Sequence, residues 1–268
     1  MARGSNVGAN GCSPLRSPEY NMSNNPCLSF SGVSKSFISR NGEIVRAVED
    51  VTFDVPRGSV SCLAGMTGCG KTTILRLAAG LDTPDSGTII SPSGEIGYLT
   101  QQHTLLPWMT TADNIGLPLR IRGVDEPAWK ARVGEIINSL GLAGFGSLYP
   151  YELSGGMRQR AAIGRLMAAE ASCWLLDEPF SSLDERTRHQ LQGLLLETAN
   201  SANVTVLLVT HSIDEAVWLA DRIWIVSAGP GRIVESLEIA EPRPRNRMSD
   251  EFGARMESVR KRLEAAIG

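Results

Sequence analysis

A chain of 268 residues, 42% hydrophobic and 21% charged, has the composition of an ordinary soluble globular protein with one large domain or a domain plus a smaller appendage. Its formal net charge of −3 supplies no general attraction to phosphate backbones, so no nucleic-acid partner is expected. No apolar run approaches the roughly 18–20 residues that span a bilayer, and the N-terminus lacks the apolar core of a secretory signal, so the chain is expected to stay in the cytoplasm.

Residues 1–27 are rich in Asn, Ser, Gly and Pro and read as a disordered extension. From Leu28 short β-branched segments alternate with helical patterns. Strands are expected over Ala47–Val55, Ser59–Leu63, Trp174–Leu176, Val204–Val209 and Arg222–Val226, and a helix over Thr72–Gly80. Several of these strands are almost continuously apolar, which marks burial on both faces and hence a mostly parallel α/β sheet. A helical insertion, about 102–168, interrupts the core. Within it Asp125 is expected to cap a helix carrying Val133, Ile136, Ile137 and Leu140, which Gly141 closes. The core ends near Glu241, and residues 242–268 read as a stiff PRPRNR linker and a last helix with Phe252, Met256, Val259 and Leu263 on one face. The five cysteines, Cys12, Cys27, Cys62, Cys69 and Cys173, form no C-x-x-C pair and read as free thiols in packing roles.

Gly65-Met66-Thr67-Gly68-Cys69-Gly70-Lys71-Thr72 fits G-x-x-x-x-G-K-[ST], after a strand and before a helix. Glycines let the backbone wrap phosphates, Lys71 adds charge, the Thr72 hydroxyl ligates Mg²⁺, and the helix dipole faces the anion. The chain is therefore expected to bind a nucleoside triphosphate. Cys173–Glu178 is an apolar strand ending in two acids: Asp177 is expected to help hold Mg²⁺, and Glu178 to take a proton from an attacking water. A second glycine-rich helix start, Glu152–Arg160 (ELSGGMRQR), also suits an anion but has no lysine in its loop.

The ordered set Gly65–Thr72, Gln101, Leu153–Arg160, Asp177–Glu178, Ser182–Asp184 and His211 resembles the ATPase subunit of ABC transporters over about residues 28–265. QQHTLLPWMT, YPYELSGGMRQR, PGRI and PRPRNR resemble its nitrate/sulfonate/taurine importer branch. The resemblance implies a P-loop core with a mostly parallel sheet, an antiparallel β edge and the helical insertion. It implies a head-to-tail pair, either a homodimer or two paired ATPase subunits, in which Ser154, Gly155 and Gly156 of one close over ATP held by the P-loop of the other, with Thr73 also at the nucleotide. Gln101 reaches the Mg²⁺ and water region, His211 contacts the γ-phosphate, and Phe37 either stacks on adenine or belongs to the core. Asp184 lies at the dimer interface or caps the next helix, and Leu105–Trp108 is satellite core or a docking surface for a membrane subunit. The cofactors implied are ATP and Mg²⁺. The partners are a transmembrane permease and, indirectly, an extracytoplasmic solute-binding protein, which places the chain peripherally on the cytoplasmic face of the membrane. A soluble ABC ATPase acting on nucleic acid or ribosomes is the alternative. By the same resemblance Leu153–Arg160 is the family's signature segment, and Gly164 stands inside the helix it opens, where relatives usually carry alanine, at a propensity cost of up to about 1 kcal/mol.

Overall fold

The computed structural model describes residues 26–92, 96–101 and 105–266. The N-terminal extension expected over 1–27 falls, up to residue 25, outside the described residues, as do Gln102 and His103. In chain order the strands are β1 (Pro26–Ile38), β2 (Ile44–Pro56), β3 (Val60–Ala64), β4 (Ser86–Ile90), β5 (Ile96–Leu99), β6 (Cys173–Asp177), β7 (Thr205–Thr210), β8 (Arg222–Val226) and β9 (Ile233–Glu238). The helices are α1 (Lys71–Ala78), α2 (Thr111–Ile121), α3 (Glu126–Ser139), α4 (Gly155–Ala169), α5 (Glu185–Ser201), α6 (Ile213–Leu219) and α7 (Asp250–Ala265).

Two sheets result. The larger has the order β5-β6-β7-β3-β8-β9, parallel except for β9, which pairs antiparallel with β8 at the edge. Strands β3, β6 and β7 are buried at every position, as their continuous apolar sequences require. The smaller sheet, β2-β1-β4, is antiparallel and irregular in register. It buries Leu28, Phe30, Val51 and Phe53, with the Phe30 and Phe53 rings stacked at 4.7 Å. Helix α1 joins the two sheets: Ile74, Leu75 and Leu77 share one core with those residues and with Leu63, Leu175 and Leu207 of the parallel sheet. Because each fully buried aliphatic side chain contributes roughly 1.5–3 kcal/mol, that shared core fixes the P-loop between two rigid layers.

Helices α2, α3 and α4 form the insertion and pack on one another. Asp125 occupies the N-cap of α3 but its side chain makes no capping bond; proline at the helix start leaves one fewer N–H to satisfy. Gly141 closes the helix at φ +64, as expected of a left-handed terminator. Gly164 has a packing reason: a Cβ there would lie 2.7 Å from Leu140 Cδ1 and 3.2 Å from Ile115 Cδ1.

The segment expected to be a stiff linker is bound to the core. Arg245 is buried and donates to the carbonyls of Val217, Ala220 and Ile239 at 2.7, 2.7 and 3.1 Å. Arg243 pairs with Asp221 at 2.7 Å, and Arg247 with Asp214 at 3.1 Å. Helix α7 then buries Phe252 and Val259 against α6 and β8, with Met256 and Leu263 partly buried beside them.

Candidate functional site

The strand order places the site. Strands β6, β7 and β3 are consecutive neighbours in the sheet, and each delivers one functional segment from its C-terminal end: Glu178, His211 and the P-loop. That edge of a parallel sheet is where α/β proteins build sites. A cleft of about 1230 Å³ opens there, lined by Thr67, Gly68, Gly70, Lys71, Thr72, Thr73, Gln101, Glu178 and His211, together with Ile44–Ala47 of β2.

The P-loop wraps because two of its glycines adopt backbone angles that other residues resist, Gly68 at φ +82 and Gly70 at φ +96. A Cβ on Gly70 would also sit 2.4 Å from the Ala47 carbonyl oxygen. Lys71 is only 4% exposed, and its ammonium donates to the carbonyls of Gly65 and Met66 at 2.9 and 2.6 Å. Its charge is thus held at the loop by the loop's own backbone. Cys69 is buried beneath, its thiol 3.6 Å from that ammonium. Met66 is half exposed and stands outside the cleft lining.

At the strand end the Thr72 hydroxyl donates to Asp177 at 3.2 Å. Burial pushes the Asp177 carboxyl above the ordinary range and the Glu178 charge adds to this, while the Thr72 hydrogen bond and Lys71 oppose it. Glu178 is a non-glycine residue at φ +44, so the chain turns sharply after the strand, with its N–H tied to the Val209 carbonyl at 2.9 Å. One carboxylate oxygen of Glu178 gathers two partners, Gln101 Nε2 and His211 Nδ1, each at 3.2 Å. Three residues distant in sequence therefore meet on one oxygen.

A family profile for the ABC transporter matches residues 48–181, half of the chain. An ABC transporter ATP-binding protein of Methanocaldococcus jannaschii is 42% identical over 79% of this chain and 82% of its own length. The chain belongs to the ABC transporter family. Other relatives of this ABC chain are named for import: an aliphatic sulfonates import ATP-binding protein of Bacillus cereus is 39% identical over 88% of this chain and 94% of its own length. A taurine import ATP-binding protein of Chromobacterium violaceum is 41% identical over 73% and 78%. A solved ATP-binding cassette, dimeric in a post-hydrolysis state with ADP and Pi, superimposes with a TM-score of 0.72 at 27% identity, covering 80% of this chain and 100% of its own.

The signature residues of this ABC chain lie elsewhere. Ser154 caps α4 by accepting from the Met157 N–H at 3.3 Å, and with Gly155 and Gly156 it lines a separate cleft of about 460 Å³ shared with Arg160, Leu183 and Asp184. Among the described residues Ser182 alone touches both clefts. A Cβ on Gly156 would meet Thr187 Cγ2 at 2.7 Å, so that glycine also lets α4 approach α5. Asp184 caps α5, accepting from Thr187 N–H at 3.0 Å.

Phe37 is not in the core, being 40% exposed with Lys35 Nζ 5.5 Å above its ring. It does not line the cleft; its cross-strand partner Val45 does. The apolar Leu105–Trp108 stretch divides: Leu105 is buried and Trp108 is 71% exposed. The turn between them is held by the buried Asn114 side chain, which accepts from Leu106 N–H at 2.7 Å and donates to the Leu106, Met109 and Thr110 carbonyls. Sequence reading assigned no role in the site to Asn114, or to Ser181 and the Gly229-Pro230 pair that line the cleft. The recurrence of a polar residue inside an apolar helical stripe was the signal for Asn114.

Proposed function

We propose that this chain is the ATP-hydrolysing subunit of an importer for a small sulfonate- or taurine-like solute, working as a pair of ATPase subunits beneath a membrane permease. The observation that carries the hydrolytic part is the meeting of Gln101, Glu178 and His211 beside the P-loop in one cleft. The import part rests on the names of the sulfonate and taurine relatives. Among the described residues no helix is long and apolar enough to cross a membrane.

Lys71, Thr72, Thr73 and the loop amides bind the triphosphate of ATP, the reaction's substrate. The Thr72 hydroxyl and Asp177 carboxylate, 3.2 Å apart, are hard oxygen donors of the kind Mg²⁺ takes when most of its shell is water and substrate phosphate. They fit that ion better than an all-protein cage would, and Gln101 stands at the same mouth. Bound there, Mg²⁺ would offset phosphate charge and the burial of Asp177. Glu178 accepts the proton of the attacking water, and His211 and Gln101 orient that carboxylate and the water. Catalysis in such a site is mostly positioning and charge neutralisation.

The signature cleft completes the site in trans. Ser154 and the Gly156 amide sit at the N-terminus of α4, apart from the P-loop cleft of their own chain. That separation favours contact with nucleotide held by a second copy, as does the dimeric state of the solved relative. The permease is tested by isolating the tagged chain from detergent-solubilised membranes of its own cell. A co-purified multi-spanning protein supports the transporter reading; soluble or nucleic-acid partners without one would replace it.

A further inference from the structure

Beneath His211 lies a buried acid that the hydrolytic scheme does not use. Glu215, in the first turn of α6, is 3% exposed. The Thr210 hydroxyl donates to its Oε2 at 2.6 Å and at the same time accepts from the Ser212 N–H at 3.0 Å. The two residues flanking His211 are thus fastened through one hydroxyl to one carboxylate. The Glu215 N–H in turn donates to Ser212 Oγ at 3.4 Å, closing the turn from the other side. With both neighbours pinned, the imidazole's place against Glu178 is set by its own side-chain rotation alone.

The other carboxylate oxygen, Glu215 Oε1, stands 3.8 Å from Arg188 Nε. That Nε is buried without a hydrogen-bond acceptor among the described residues, so Glu215 is its charge partner. The same guanidinium donates through Nη2 to the Leu183 carbonyl at 2.9 Å, in the turn whose Ser182 touches both clefts. Burial above all, with the neighbouring Asp214 carboxylate, raises the Glu215 carboxyl above its ordinary range, and the Thr210 hydroxyl, Arg188 and His211 oppose that rise. A buried carboxyl held in this way is costly to disturb, because removing it leaves the Thr210 hydroxyl without its acceptor and Arg188 Nε without its nearest carboxylate.

We propose that Glu215 is a positioning residue for His211, and that Arg188 links it to the Leu183 turn, so that the side of the chain facing the signature cleft reports on the hydrolytic histidine. The proposal rests on the assignment of His211 and Glu178 to hydrolysis. A movement of the Ser182–Asp184 turn pulls on Arg188, hence on Glu215 and Thr210, and shifts the imidazole without any contact to nucleotide. Closure of a second subunit over the turn would in this way ready the histidine.

The test is single-turnover Mg-ATP hydrolysis by the full chain, which resolves slow rates, alongside nucleotide binding. Thr210→Val removes the hydroxyl at constant shape, and Thr210→Ser restores it. We expect Thr210→Val and Glu215→Gln each to slow hydrolysis about tenfold with ATP affinity changed less than about twofold, and Thr210→Ser to recover most of the rate. In a His211→Ala background Thr210→Val is expected to cause no further loss, because its effect passes through the histidine. An equal loss in both backgrounds would overturn the proposal and leave Thr210 and Glu215 as structural. So would full activity of Thr210→Val in a chain whose turnover Glu178→Gln abolishes. Absence of turnover in the unsubstituted chain would instead sink the ATPase reading, and the proposal with it.

Discussion

The cleft at the strand ends gathers Lys71, Glu178, His211 and Gln101 around a backbone loop, with Asp177 held behind Thr72, whereas the signature cleft offers Ser154, Gly155, Gly156 and the N-terminus of a 15-residue helix. The first has every group that water activation needs. The second has Asp184, but that carboxylate is occupied in capping α5, and backbone hydrogen bonding at the cap holds it well below the usual carboxylate range. Its other charged side chain, Arg160, donates to the Leu140 carbonyl at 3.2 Å and to Gln190 at 3.2 Å. A surface that only receives phosphate charge can be made from N–H groups and a helix dipole, with no base and no loop lysine. A surface that splits a bond cannot. On the proposed function, the missing lysine of the signature loop follows from a division of labour between the two clefts.

The sharpest break of that division is Glu178→Gln, which should cut steady-state ATP turnover by about 10²–10⁴-fold while leaving ATP binding intact. Near-normal turnover would remove the base from its cleft. Lys71→Ala should weaken ATP binding at least about tenfold in a direct titration, since a charge-assisted contact contributes roughly 1.5–3 kcal/mol. Ser154→Ala acts on the other cleft. It should leave ATP binding to a lone chain unchanged, lower turnover at saturating ATP, and reduce stability by about 1 kcal/mol through loss of the α4 cap. A loss of nucleotide binding by the lone chain would place Ser154 in the wrong cleft.

Asp177→Asn separates stability from function. The folded site favours the protonated form of Asp177, so stability drops as pH rises from the unfolded carboxyl's range through the higher folded one. At neutral pH, without nucleotide or Mg²⁺, Asp177→Asn should therefore raise the melting temperature. The gain should vanish in acid, where both states of Asp177 are protonated. Gly164→Val touches neither cleft and should cost about 1–3 kcal/mol in chemical denaturation by overpacking Leu140 and Ile115. ATP affinity should remain unchanged.

Much of this was legible in residue order. Strands β3, β6, β7 and β8 are almost continuously apolar, and the P-loop's glycines carry their backbone angles in their identity. Strand β1 was not so readable: Ser and Gly interrupt its apolar residues, and its pairing with β2 slips register repeatedly. The arginines of PRPRNR look like a solvated spacer in sequence, yet Arg245 is buried because the carbonyls of Val217, Trp218, Ala220, Ile239 and Glu241 converge on it, a fact of tertiary structure. The same holds for Glu215. Its spacing from His211 is plain, but the partner that gives it meaning, Arg188, comes from another helix. Phe37, a position suited to adenine by resemblance, stands exposed beside Val45 of the cleft lining.

The central claim is that ATP joins two copies, the Ser154–Gly156 cleft of each completing the P-loop cleft of the other. Gel filtration of Glu178→Gln with and without saturating Mg-ATP tests it directly. The account predicts a monomer without nucleotide and a dimer with it, reversed by a further Ser154→Arg substitution. A chain that binds Mg-ATP and stays monomeric would contradict it.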